Sequence, residues 1–186
     1  MLGLSVLLLT QCSKCKRDDP TPSDPASQLP APTQTGAGTF GCLLNGQPWT
    51  PSGTLNVPNF FVLYDPTFQG GTLEVQAYRL FGNATSIGQY LKFGGDGVKG
   101  TGSYPVIASV FPPVLGTWTT YFMDTSKNAP CNYYNLLPGT TSVTGYVLLT
   151  RLDKQQGIVS GTFEFTLTQP GCDTIKVTQG RFDYKL

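Results

Sequence analysis

The side chains whose types and placing suggest chemistry in this chain are cysteines, carboxylates and aromatic rings, and its 186 residues include no histidine. That removes the side chain that most often moves protons near neutral pH and the commonest metal ligand, which weighs against an enzyme. Cys42 alternates with Phe40 and Leu44 and reads as a buried small hydrophobe. Cys131 and Cys172 follow Pro and Pro-Gly turn residues, so loops can bring them together, and a Cys131–Cys172 disulfide is expected. The remaining domain thiol then stays free or finds Cys15. A nucleophilic thiol is disfavoured, since no imidazole is present to activate it.

Glu74 and Glu164 are the only glutamates. Paired carboxylates are what glycoside hydrolysis requires, whereas solvated acids on strand faces are the plainer reading. Asp96, in Gly94-Gly95-Asp96-Gly97, lacks the neighbouring oxygen ligands that calcium needs and reads as a turn, so no metal or other cofactor is implied. Four rings are candidates for binding. Trp118 and Tyr121 follow Phe111-Pro112-Pro113, and Tyr133 and Tyr134 follow Cys131; exposed, they would stack on a sugar or meet a protein, and buried, they would close the ends of a core.

The elements that must position these groups read as strands. With 22 glycines and 15 prolines, and with Thr, Val, Tyr and Phe filling the segments between them, the chain favours short strands joined by tight turns. Residues 39–44 form a first strand, with Asn45-Gly46 as a hairpin turn. Residues 59–64 (NFFVLY) read as a strand buried on both faces, and 72–81 alternate with Leu73, Val75 and Ala77 inward. Further strands are expected at 86–93, 103–109, 117–123, 143–152, 158–168 and 174–185. The pair 143–152 and 158–168 should be antiparallel, with Phe163, Phe165 and Leu167 on the core face. In the last strand the apolar set changes parity, from Ile175 and Val177 to Phe182 and Tyr184, so a bulge is expected around Gln179-Gly180. The result is an all-β domain over 39–186, an antiparallel sandwich or flattened barrel of about ten strands.

The amino terminus carries an address. Residues 1–11 are an apolar run too short to span a bilayer as a helix, and they read as a secretory signal peptide. Leu8-Leu9-Thr10-Gln11-Cys12 resembles a bacterial lipobox, which implies cleavage before Cys12 and acylation of its thiol, with membrane lipid as the partner. Residues 12–38 are rich in proline and lack apolar periodicity, so they are expected to form a disordered tether. A formal net charge of +1 and the absence of a basic stripe argue against nucleic acid.

Three segments carry a resemblance to a family. They are Thr39-Phe40-Gly41-Cys42-Leu43-Leu44-Asn45-Gly46-Gln47-Pro48-Trp49, Val159-Ser160-Gly161-Thr162-Phe163-Glu164-Phe165 and Thr178-Gln179-Gly180-Arg181-Phe182-Asp183. Together they resemble an uncharacterised family of β-rich Bacteroidetes lipoproteins. The charged run from Ser13 to Asp19 resembles the surface-export signals of such lipoproteins. The resemblance implies an anchored β domain of unknown function and supplies no catalytic or binding residues; the expected location is the cell envelope, as an outer-membrane lipoprotein facing the periplasm or the cell surface. The functional expectation is a non-catalytic envelope domain that binds a glycan or protein. A carbohydrate hydrolase and a barrel holding a small apolar ligand are the alternatives.

Overall fold

The computed structural model describes residues 24–82, 86–135 and 139–186, and Cys12, Cys15 and the signal segment lie outside them. Among the described residues the chain forms eleven strands: β1 (Thr39–Leu44), β2 (Gln47–Trp49), β3 (Phe60–Asp65), β4 (Thr72–Leu80), β5 (Ile87–Gly95), β6 (Gly102–Ile107), β7 (Trp118–Asp124), β8 (Tyr133–Tyr134), β9 (Ser142–Asp153), β10 (Ile158–Thr168) and β11 (Ile175–Lys185). Among the described residues they follow the order β2-β1-β11-β10-β9-β6-β7-β5-β4-β3, with β8 added beside β7. The path folds over at β6, which pairs antiparallel with β9 through Gly102–Pro105 and parallel with β7 through Val106 and Ile107. This yields two layers: β2-β1-β11-β10-β9, here the first sheet, and β7-β5-β4-β3, the second. The sheet does not close, because β2 and β3 end the path on opposite sides. An all-β open sandwich follows.

The layers meet on a ring-rich core. Phe93 of the second sheet lies 4.5 Å from Phe163 and 5.8 Å from Phe165 of the first, and Phe40 reaches Phe60 at 5.2 Å. These rings occupy the interior where a barrel ligand would sit, so the apolar-ligand alternative loses its cavity. The parity change in β11 is absorbed by a bulge, as its sequence requires. Thr178 pairs with Leu43 and Arg181 with Gly41, and Gln179 takes a φ of 51° at the step. Phe182 can then face the same core as Val177.

Two expectations change. The 59–64 segment is the edge strand β3, with Phe60 and Val62 buried but Leu63 exposed, because no second layer covers its outer side. The stretch 12–38 is not all tether: residues 24–38 are packed along the first sheet. There a short 3-10 turn (Pro25–Gln28), the buried Leu29 and an extended strap run to β1. Proline-rich chain without apolar periodicity is held here by polar contacts, chiefly to the buried Asp183. Its Oδ2 accepts from Thr33 Oγ1 (2.7 Å), Thr35 N (2.9 Å) and Ala37 N (3.1 Å), and its Oδ1 accepts from Gly36 N (2.8 Å) and Ser160 Oγ (2.7 Å). Burial alone would raise the Asp183 pKa, but the donors from Ser160, Thr33, Ala37 and Thr35 together hold it well below the usual carboxylate range.

Candidate functional site

Strand parity decides which sequence candidates reach solvent. In β7 the even positions Trp118, Thr120, Phe122 and Asp124 turn inward, and Thr119, Tyr121 and Met123 turn outward. Trp118 is fully buried, 6.1 Å from the Phe93 ring and 5.5 Å from Tyr104. Tyr134 is buried against Phe122, and its hydroxyl donates to the Asp173 carbonyl at 2.6 Å. Trp118 and Tyr134 are therefore core residues rather than binding rings, because alternation along β7 and β8 points them between the layers.

Tyr121 and Tyr133 do reach the outer face of the second sheet, and cross-strand register adds a ring that the sequence reading missed. Lys92 pairs with Tyr121 across β5 and β7, so Tyr90, two residues along β5, stands on the same side. Tyr90 and Tyr121 meet edge to face at 5.9 Å, and Tyr121 and Tyr133 stack at 6.2 Å. The three rings form a row across β5, β7 and β8.

A polar chain runs beside the row. The Tyr90 hydroxyl donates to Gln76 Oε1, Gln76 Nε2 donates to Glu74 Oε1, and Lys92 Nζ pairs with Glu74 Oε2. Burial, then the charge of Glu74 and then Tyr121 push the Tyr90 phenol up to about 12, so it remains a donor throughout the physiological range. Burial and Tyr133 likewise raise Tyr121. Beyond Lys92 the floor is Gly94, which has no side chain to fill it. The far wall is Ser109 and Asn135, joined by Ser109 N donating to Asn135 Oδ1 at 2.9 Å, while Asn135 Nδ2 donates to the Thr120 carbonyl at 2.6 Å. Tyr90, Tyr121, Glu74, Lys92, Gly94, Ser109 and Asn135 line an open groove of 540 Å³, within the size range of small-ligand clefts, with Tyr133 stacked behind Tyr121 and Gln76 bonded behind Tyr90.

The other sequence candidates disperse. Glu74 faces outward from the second sheet and Glu164 outward from the first, with the inward neighbours Leu73, Val75, Phe163 and Phe165 packed between them. The core separates the two carboxylates, so the paired-carboxylate hydrolase loses its geometry. Glu164 instead sits across from Tyr146, raising the pKa of that phenol first by its charge, with a small contribution from burial and a hydrogen bond. Asp96 accepts from Thr72 Oγ1 at 2.6 Å and ties a turn at the rim of the groove. Among the described residues, no group of three or more His, Cys, Asp or Glu could hold a metal ion. Cys131 and Cys172 are bonded, with Cα atoms 5.4 Å apart and a sequence separation of 41. Closing that loop contributes about 4 kcal/mol in the chain-entropy account. Cys42 is buried and free, and burial pushes its thiol up to about 12, which leaves it unreactive near neutral pH.

Fold and site together define a class, an open β-sandwich with an aromatic and polar groove on one outer sheet face. Compared with known proteins, the chain matches no family model, no curated sequence and no solved structure. Among the described residues, no helix is long and apolar enough to cross a membrane.

Proposed function

We propose that the chain is a lipid-anchored module of the bacterial cell envelope that binds a neutral glycan in the groove of its second sheet. The observation that carries this reading is the row Tyr90-Tyr121-Tyr133 beside Glu74, Gln76 and Lys92. Aromatic rings offer amphipathic contact area for the apolar face of a pyranose, and the adjoining donors and acceptors suit its hydroxyls. Glu74 and Lys92 neutralise one another and Asp96 adds a negative charge, so the groove has no positive surplus with which to attract an acidic polymer. The lipobox-like Leu8–Cys12 run and the family resemblance support the envelope placement, with acylated Cys12 as the anchor.

Affinity electrophoresis tests the binding. In gels cast with mannan, xylan or laminarin, at least one neutral polymer should retard the wild type, and Tyr121→Ala should migrate freely. Retardation only by acidic polygalacturonate, or equal retardation of both proteins, would reject this site. The anchor is tested separately by the intact mass of envelope-extracted protein, where a species without acyl adducts at Cys12 would remove the lipoprotein reading.

A further inference from the structure

We propose that the disulfide-bonded turn between β10 and β11, on the first sheet, fixes the wall of the tyrosine groove on the second, with the buried Gln169 and Thr141 as positioning residues. The wall needs support from outside its own sheet. Among the described residues, β8 pairs with β7 only through Tyr133 with Met123 and Tyr134 with Phe122, and so short a ladder cannot by itself hold a segment in one place. Tyr133 nevertheless stands behind Tyr121, and Asn135, the next residue but one, closes the groove.

The support comes across the layers from residues 169–173. The Cys131–Cys172 bond staples the approach to β8 onto this turn, and the Tyr134 hydroxyl donates to the Asp173 carbonyl. Beside these links runs a polar chain. Gln169 Nε2 donates to the Pro130 carbonyl (3.1 Å), Gln169 Oε1 accepts from Thr141 Oγ1 (3.0 Å), and Thr141 Oγ1 accepts in turn from the Asn135 amide (2.8 Å). The Asn135 side chain carries the chain on to the groove, since its Oδ1 accepts from Ser109 N and its Nδ2 donates to the Thr120 carbonyl. Asn135, Thr141 and Gln169 are all buried. A bond broken anywhere along the chain therefore leaves a partner stranded away from water, and the chain rearranges as a unit. Gln169 does not itself line the groove, so its effect on binding passes through Asn135 and Tyr133. If it only closed the end of the core, its loss would change stability and leave the tyrosine row where it stands.

This inference rests on the glycan reading for its ligand, and a ligand-free measurement keeps the two separable. Gln169→Met and Thr141→Val nearly preserve side-chain size and remove the hydrogen bonds. In the full chain, each should lower affinity for the neutral polymer that retards the wild type about tenfold in affinity electrophoresis. Thr141→Ser, which retains the hydroxyl, should recover most of what Thr141→Val loses. The double variant should lose little more than either alone, as expected of residues acting through one chain of bonds. In free protein, oxidative footprinting should find Tyr133 more reactive in Gln169→Met than in wild type, with Tyr146 unchanged. Binding by Gln169→Met as tight as that of wild type, or an unaltered Tyr133, would overturn the proposal. So would a parallel rise at Tyr146, which would mean a general loosening of the fold. If no neutral polymer retards the wild type, the glycan reading falls, and the Tyr133 comparison still decides whether the turn holds the wall.

Discussion

The two outer faces of the sandwich are treated in opposite ways. The first sheet is crossed by the strap of residues 29–37, while the second lies open and carries three tyrosines. The difference starts with residue size and polarity. On the covered side Gly41 admits the strap, since a Cβ there would lie 2.7 Å from Pro30 Cδ, and Asp183 gathers the strap's amide donors. On the open side the outward positions include Tyr90, Lys92, Tyr121 and Tyr133, large groups whose rings pack in a row while Tyr90 bonds to Gln76 and Lys92 pairs with Glu74, and they leave the Gly94 floor bare. A face that must hold a strap uses small residues and one buried charge, whereas a face kept for a ligand presents amphipathic rings and polar groups at its surface.

The contrast is most severely tested by removing its lock. Asp183→Ala leaves the amides of Thr35, Gly36 and Ala37 without their acceptor and should cost about 3 kcal/mol in urea unfolding, with new proteolytic cleavage between residues 24 and 38. The lock also has a pH signature. The folded pKa of Asp183 is depressed, so its stabilisation is complete above the unfolded value of about 3.9 and is lost as pH falls toward the folded value. The stability gap between wild type and Asp183→Ala should therefore hold from pH 8 to pH 5 and shrink below about pH 4.

Gly41→Ala probes the same face sterically. Its methyl must displace Pro30, and a loss of about 1–2 kcal/mol is expected in the same assay, with glycan retardation unchanged. Tyr121→Ala should act in the reverse sense. Glycan affinity should fall about tenfold in titration calorimetry, while the unfolding midpoint moves little, because this ring is only partly buried. The smallest effect is expected at Tyr146, an exposed ring on the first sheet. Tyr146→Ala should change stability by less than about 0.5 kcal/mol and leave binding intact. If Tyr146→Ala weakened binding as much as Tyr121→Ala, the faces would not differ as described.

Much of the fold was legible because it depends on local alternation. Nine strand segments could be placed from apolar runs and alternation, although the unbroken run 59–64 carried no parity and hid its edge position, and the β11 bulge could be read from the mismatch between Ile175 or Val177 and Phe182 or Tyr184. The site was legible only in part. The β7 segment carries aromatic residues at both parities, so alternation alone did not say that Trp118 faces in and Tyr121 out. Tyr90 was missed because its neighbour Tyr121 is set by cross-strand register, which the sequence does not print; only the burial of Leu91 and Phe93 in the structure marks Tyr90 and Lys92 as outward. The strap was misread for a different reason: its fixation comes from main-chain amides meeting one distant carboxylate, which leaves no periodic trace.

Oxidative footprinting of tyrosines, with and without the retarding polysaccharide, compares the two faces in one sample. Saturating glycan should lower modification of Tyr121 and Tyr133 while Tyr146 remains as reactive as in free protein. Protection of Tyr146, or unchanged reactivity at Tyr121 and Tyr133 under conditions where the polymer is bound, would contradict the contrast between the two faces.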